Sequence, residues 1–225
     1  MNPAAGAGER GDASRPRRAV AGLYAITPEE ADTERLARKV QAALAGGASL
    51  VQYRSKSPDA AVRRAQGERL LGVCRRAGVP LIVNDDLELA LAIGADGVHL
   101  GRDDGDVAAA RARLGADRLL GVSCYDRLDL AIAAVAAGAD HVAFGSAFAS
   151  PTKPEAARAS PLLFTQARAR LQVPIVAIGG ITPENARLVI EAGAHAVAVI
   201  TALFGAQDVA AAAAAFRRLF QRRNP

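Results

Sequence analysis

The chain reads as an α/β protein of the (β/α)8, or TIM-barrel, class on three grounds: eight short apolar runs alternate with helical segments, each run is continuously apolar, and all of them fit within 225 residues. Continuous Val- and Ile-rich runs are what parallel strands require when helices cover the sheet and neither face meets water. The predicted strands are 22–27, 50–53, 81–84, 97–100, 119–123, 141–144, 175–178 and 196–200. Helical patterns follow them, for example over 33–45, 59–77 and 128–137. A doubly wound open sheet would use the same elements, because element counts speak to class more than to closure.

In chain order, residues 1–18 are Gly, Ala, Pro and Arg without periodicity, which predicts a disordered leader ahead of one barrel domain over 19–225. Helix stops recur as Gly94-Ala95-Asp96, Gly115-Ala116-Asp117, Gly138-Ala139-Asp140 and Gly193-Ala194-His195, spaced for compact βα units. The alanine run 210–215, closed by Phe216, predicts a last outer helix without chemistry.

Composition narrows the class of function. With 51% hydrophobic and 23% charged residues, the chain is neither disordered nor a disulfide scaffold. No apolar stretch approaches the ~18 residues of a membrane span and no signal peptide is visible, so a cytoplasmic protein without membrane partners is expected. Cys74 and Cys124 form no metal-type pair. The net charge of +5 gathers at the two ends, and the chain has 4% aromatic residues and no Trp, which argues against nucleic acid as a partner.

In a barrel the site forms at the carboxyl ends of the strands. Strand 2 runs into Gln52-Tyr53-Arg54-Ser55-Lys56, strand 3 ends in Asn84-Asp85-Asp86, strand 4 in His99-Leu100-Gly101-Arg102-Asp103-Asp104, and strand 5 in Ser123. The longest loop follows strand 6 and contains Ser150-Pro151-Thr152-Lys153, and Gly179-Gly180 follows strand 7. Taken singly, these are ordinary surface charges, helix caps or a tight turn. Their convergence on one rim favours a site.

Gly179-Gly180 before Thr182-Pro183, with Ile200-Thr201 after strand 8, matches a barrel phosphate cradle of backbone N–H groups. On the other side Arg54, Lys56, Asn84 and Ser123 supply donors for a second anion, a diphosphate. Asp85 and Asp104 supply hard oxygens suited to Mg²⁺. No nucleophile–base pair is apparent, and His141 and His195, which open strands, read as structural. Two anion sites and a metal imply transfer from a diphosphate ester to a phosphorylated acceptor, and Lys153, in the one long loop, is placed to close over the leaving group.

Seven motifs in order, Gln52-X-Arg54-X-Lys56, Asn84-Asp85, His99-X-Gly101-X-X-Asp104, Gly121-Val122-Ser123, Ser150-Pro151-Thr152-Lys153, Ile178-Gly179-Gly180-Ile181 and Val199-Ile200-Thr201, resemble the thiamine-phosphate synthase family over 22–204. The resemblance implies a (β/α)8 transferase that joins hydroxymethylpyrimidine diphosphate to a thiazole phosphate, forming thiamine phosphate and releasing diphosphate. It implies that Gln52, Arg54, Lys56, Asn84, Ser123 and Lys153 hold the pyrimidine diphosphate, with His99 also among the substrate-binding residues, and that Asp85 and Asp104 hold its Mg²⁺. Ser150, Thr152, Gly179, Gly180, Ile200 and Thr201 would take the thiazole phosphate. Arg54, Lys56, Ser123 and Lys153 would act on the leaving diphosphate. Two positions depart from the family: Arg102 stands where Gln is usual and Tyr125 where His is usual. Arg102 either adds a diphosphate contact or faces solvent. A related thiazole tautomerase relies on His at the position of Tyr125, and a non-catalytic phosphate-binding barrel is the remaining alternative.

Overall fold

The computed structural model describes residues 20–149 and 158–221. Its parallel strands are β1 (Gly22–Ile26), β2 (Leu50–Tyr53), β3 (Leu81–Asn84), β4 (Gly97–Leu100), β5 (Leu119–Tyr125), β6 (His141–Phe144), β7 (Ile175–Ile178) and β8 (Ala196–Val199). Between them run α1 (Thr33–Gly46), α2 (Ala60–Ala77), α3 (Leu87–Ile93), α4 (Val107–Leu114), α5 (Leu128–Ala136), α6 (Pro161–Arg170) and α7 (Ala186–Ala192), and after β8 come α8 (Thr201–Phe204) and α9 (Val209–Gln221). The strands close in sequence order, with Gly22 of β1 paired to Ala196 of β8. Closure removes the open-sheet alternative and leaves a (β/α)8 barrel.

Alternation along each strand divides the apolar residues into two cores. Residues such as Leu23, Val51, Val83 and Phe144 point outward and pack under the helices with Leu36, Val40, Leu70 and Phe164. Tyr24, Ile26, Leu50, Ile82, Leu119, Val176, Ala196 and Ala198 fill the barrel interior. Each fully buried Leu or Phe in such a core contributes about 1.5–3 kcal/mol from removing apolar surface from water. Helix α9, which carries the alanine run, buries Ala213 and Phe216, as its composition suggested.

Several boundaries move from the sequence reading for local reasons. Strand β1 stops at Ile26 because Thr27 turns to the β2 end: its Oγ1 donates to Arg54 O (3.1 Å) and accepts from Arg54 N (2.9 Å). Strand β5 continues to Tyr125 through an irregularity in register between Ser123 and Tyr125. Strand β8 stops at Val199 because Ile200 caps the short helix α8. Asp59 lies outside α2 as its N-cap, accepting from Ala61 N at 2.8 Å.

The Gly-Ala-Asp punctuation has a second role at the closed end. Asp96 accepts from Leu81 N (3.0 Å) and Asp140 from Leu120 N (2.8 Å), so each ties the foot of one strand to the preceding one. In Gly193-Ala194-His195 the imidazole does the same work, with Nδ1 accepting from Ile175 N at 2.9 Å. Among the described residues, no helix is long and apolar enough to cross a membrane.

Candidate active site

The carboxyl ends of β2, β3, β4 and β5 place the charged candidates side by side. Arg54 follows β2, and its guanidinium is held by Glu29, from the loop after β1, at 3.0 Å. The other Glu29 oxygen accepts from the backbone N–H of the exposed Lys56 at 3.0 Å. One carboxylate thus holds the Arg54 guanidinium and the Lys56 backbone. A cavity of about 260 Å³ opens beside them, lined by Ser55, Lys56, Arg63, Asn84, Asp85 and Asp86.

Asp85 and Asp86 take different roles. Asp86 caps α3, accepting from Leu89 N at 2.8 Å. Asp85 sits at φ 62°, a left-handed conformation that costs a non-glycine residue of order 1 kcal/mol or more and that concentrates at functional sites. This turn sends its carboxylate toward Asp104, while Asn84 Nδ2 donates to Asp85 Oδ2 at 2.6 Å. Asp104 Oδ2 accepts from Gly101 N at 2.7 Å. Loss of surrounding water and then the nearby Asp104 carboxylate push the Asp85 carboxyl up to about 6, against the pull of Arg54. Two carboxylates crowded together and backed by hydrogen-bond donors are a hard-oxygen pair that fits a divalent cation of the Mg²⁺ type. Among the described residues no group of three or more His, Cys, Asp or Glu side chains that could hold a metal ion occurs.

Below the rim the interior stays polar on this side. Gln52 is buried, and its Nε2 donates to Tyr24 Oη at 3.0 Å. His99 is buried with Nε2 at 2.9 Å from the half-buried Ser123 Oγ. Burial lowers the His99 imidazole to about 3, so it is neutral at ordinary pH. Cys124 is buried with its thiol pushed up to about 12, mainly by burial, so it offers no thiolate.

The ends of β7 and β8 differ in kind. Gly179 and Gly180 adopt φ 99° and 62°. Gly180 also packs against the preceding loop, so a side chain there would collide with Ala149 O and lie 2.9 Å from Phe148 O. Glycine meets both demands. Asn185 fixes this turn, donating from Nδ2 to Gly180 O and accepting at Oδ1 from Thr182 N, each at 2.9 Å. Ile200 and the exposed Thr201 open α8 beside it. This side of the rim is therefore backbone and small residues, with no charged side chain from β7 or β8.

Ser150, Thr152 and Lys153 lie outside the described residues. Glu29, Thr27, Arg63 and Tyr24 were missed by the sequence reading. Thr27 and Glu29 had a visible signal, since they follow strand 1 as the other candidates follow their strands. Arg63 had none, because it lies in α2 and its Nη1 reaches the rim by donating to Ser57 O at 2.7 Å. The two departures from the family pattern touch each other: the Arg102 guanidinium lies 4.6 Å from the centre of the Tyr125 ring, and Arg102 N donates to Tyr125 Oη at 3.4 Å. Arg102 is thus held by an aromatic face at the rim.

The chain resembles known proteins along most of its length. The family described as thiamine monophosphate synthase matches residues 23–203. A thiamine-phosphate synthase of Thiobacillus denitrificans is 59% identical over 199 residues, covering 88% of this chain and 94% of the relative. One from Chromobacterium violaceum is 59% identical over 201 residues, covering 89% and 97%. The solved thiamine phosphate pyrophosphorylase from Pyrococcus furiosus superposes with a TM-score of 0.80 at 33% identity, covering 91% of this chain and 98% of that one. The match spans every strand and both halves of the rim, and on it the chain belongs to the thiamine monophosphate synthase family.

Proposed function

We propose that the rim performs the family's transfer by giving each anionic substrate its own half of the barrel mouth. The activity is that of a thiamine-phosphate synthase, a transferase of thiamine biosynthesis. In our reading, pyrimidine diphosphate lies over β2–β5, its diphosphate facing Arg54, Lys56, Asn84 and Ser123. One N–H of the Gln52 amide goes to Tyr24, which leaves its carbonyl oxygen and its second N–H for the pyrimidine. Gly179, Gly180, Ile200 and Thr201, with Ser150 and Thr152, take the thiazole phosphate.

The reaction breaks the carbon–oxygen bond to diphosphate, whose oxygen keeps the electron pair. The resulting pyrimidinylmethyl cation is stabilised by its aminopyrimidine ring, and the thiazole nitrogen supplies the pair for the new carbon–nitrogen bond. No protein nucleophile is required, in keeping with two buried, inert thiols and a neutral His99. The chain's residues orient the two rings and neutralise the departing charge, the kind of electrostatic help worth several kcal/mol at a desolvated site. Asp85 and Asp104 would hold Mg²⁺, which when bound supplies positive charge to the diphosphate oxygens. Lys153 would close over the leaving group, and Lys153→Ala is expected to lower kcat at least ~10²-fold with little change in the thiazole phosphate requirement.

The observation that carries this reading is the pairing of Arg54, Lys56, Asn84, Asp85, Asp104 and Ser123 on neighbouring strand ends, across the mouth from the Gly179-Gly180 turn. Purified protein mixed with pyrimidine diphosphate, thiazole phosphate and Mg²⁺ should yield thiamine phosphate and diphosphate in equal amounts. Ligand binding without turnover would overturn it.

A further inference from the structure

Three strands bring an unusual group together inside the barrel. His99 pairs with Gly121, and Gly121 with His141, so the tilt of the strands raises the first residue of β6 to the level of the third residue of β4. Gly121 stands between two imidazoles. A Cβ on residue 121 would overlap both His141 Nε2 and His99 Nδ1, so the two nitrogens converge on the space that this glycine leaves clear. The ring centres are 5.6 Å apart. Both rings are buried, and His99 Nδ1, His141 Nδ1 and His141 Nε2 lack a hydrogen-bond partner among the described residues. Buried polar atoms are seldom left unpaired, so nitrogens converging on one point call for a shared hydrogen bond or one bridging water.

The direction of that bond matters at the rim. A neutral imidazole has one donor and one acceptor nitrogen. If His99 Nε2 accepted from Ser123, the serine would spend its only proton inward and turn lone pairs toward a ligand. If His99 Nε2 donates to Ser123 Oγ, the serine proton is free for an anion. The second arrangement leaves His99 Nδ1 as an acceptor, which requires a donor beside Gly121.

We propose that His141 is a positioning residue for this site: its Nε2–H donates to His99 Nδ1, directly or through one bound water, and so holds His99 in the Nε2–H tautomer that lets Ser123 donate to the diphosphate. The inference rests on the reading that Ser123 faces the diphosphate. Both rings are buried, and burial lowers the His141 imidazole to about 4, so the proposed donor is a neutral imidazole at ordinary pH. Tyr24, which accepts from Gln52 Nε2, lies edge-on to His141 at 6.1 Å between ring centres.

The test combines nitrogen-15 NMR of the wild-type histidines with steady-state kinetics of Ser123→Ala, His141→Phe and His141→Gln. His99 is expected to show a protonated Nε2 and an unprotonated Nδ1. His141→Phe, which lacks the donor, should raise KM for pyrimidine diphosphate about tenfold, the usual scale for a lost hydrogen bond to a charged group, with KM for thiazole phosphate within about twofold. His141→Gln, whose amide N–H can replace Nε2–H, should recover most of that loss. A protonated Nδ1 on wild-type His99 overturns the proposal whether or not any variant folds. Equal KM changes for both substrates, or no difference between Phe and Gln at 141, also overturn it. If Ser123→Ala leaves KM for pyrimidine diphosphate unchanged, the reading of the site falls and the relay with it. A Ser123→Ala defect beside an Nδ1-protonated His99 overturns the relay alone.

Discussion

The two halves of the barrel mouth are built in opposite ways. The β2–β5 rim presents long or charged side chains, each steadied by a neighbour: Arg54 by Glu29, Asp85 by Asn84, Asp104 by the Gly101 N–H. The β7 and β8 rim presents main chain, steadied by Asn185 and by loop bonds such as Phe148 N to Gly179 O at 3.0 Å. In the reading proposed above, the difference follows from the charge each half would hold. A departing diphosphate gains negative charge during the reaction and benefits from full cations, whereas a phosphate that only anchors the acceptor is served by fixed N–H dipoles. Truncation in the charged half therefore removes an interaction, while substitution in the backbone half adds bulk and strain.

The largest expected effect tests the charged half as a whole. Excess EDTA should abolish turnover and Mg²⁺ or Mn²⁺ should restore it, because two carboxylates with no soft ligand favour hard cations over zinc. Asp85→Asn should raise the Mg²⁺ requirement while Asp86→Asn should not, since Asp86 is occupied in capping α3. Full activity in EDTA would break the comparison at its root.

Next in size is Arg54→Ala, for which a 10- to 100-fold rise in KM for pyrimidine diphosphate is expected, the range for losing a charge-assisted hydrogen bond. Initial-rate kinetics varying each substrate in turn would show it. Comparable rises for both substrates would mean that the anions are not divided as read here.

The same contrast explains what the sequence could show. Eight strands were legible because buried parallel strands leave apolar runs, and the charged half was legible because Arg54, Lys56, Asp85 and Asp104 are chemically conspicuous at strand ends. The backbone half showed only through its glycines. What stayed hidden depended on distance between elements: Glu29 lies 25 residues from the Arg54 it aims, and Arg63 reaches the cavity from a helix. The φ of Asp85, which separates it from Asp86, leaves no mark in composition. His141 was read as structural because it opens a strand, and only the register across β4, β5 and β6 reveals that it lies level with His99.

A smaller effect on catalysis should come from the backbone half. Gly180→Ala places a methyl group against Ala149 O at a φ of 62°. Overpacking of this kind costs about 1–3 kcal/mol, and the displaced turn should raise KM for thiazole phosphate about tenfold. Thr201→Ala should act in the same direction without the stability loss. Thermal melts beside substrate-varied kinetics separate the two, and a Gly180→Ala protein that melts like wild type would show that the turn tolerates bulk.

The smallest effect on turnover, and one confined to stability, concerns what lies beneath each half. Below β7 and β8 the interior is Val176, Ala196 and Ala198, which do not titrate, whereas below the charged half lies the imidazole of His99, beside that of His141 on β6, which meets Tyr24 edge-on. Burial holds His141 near 4, below the 6.5 of an exposed histidine. Between those values the unfolded chain binds the proton that the folded one refuses. The contribution is thus fully present above about pH 6.5 and is lost as pH falls toward 4. At pH 5 the loss from His141 is about 2 kcal/mol, equivalent to about 4–8 °C in Tm for a chain of this size. His141→Gln has no imidazole to protonate there, so its Tm should fall less than that of wild type, by roughly this amount, on going from pH 7.5 to pH 5 in metal-free buffer. Parallel Tm–pH curves for the two proteins would show that His141 is already charged in the fold or already hydrated, and the chemical contrast between the two halves would then stop at the rim.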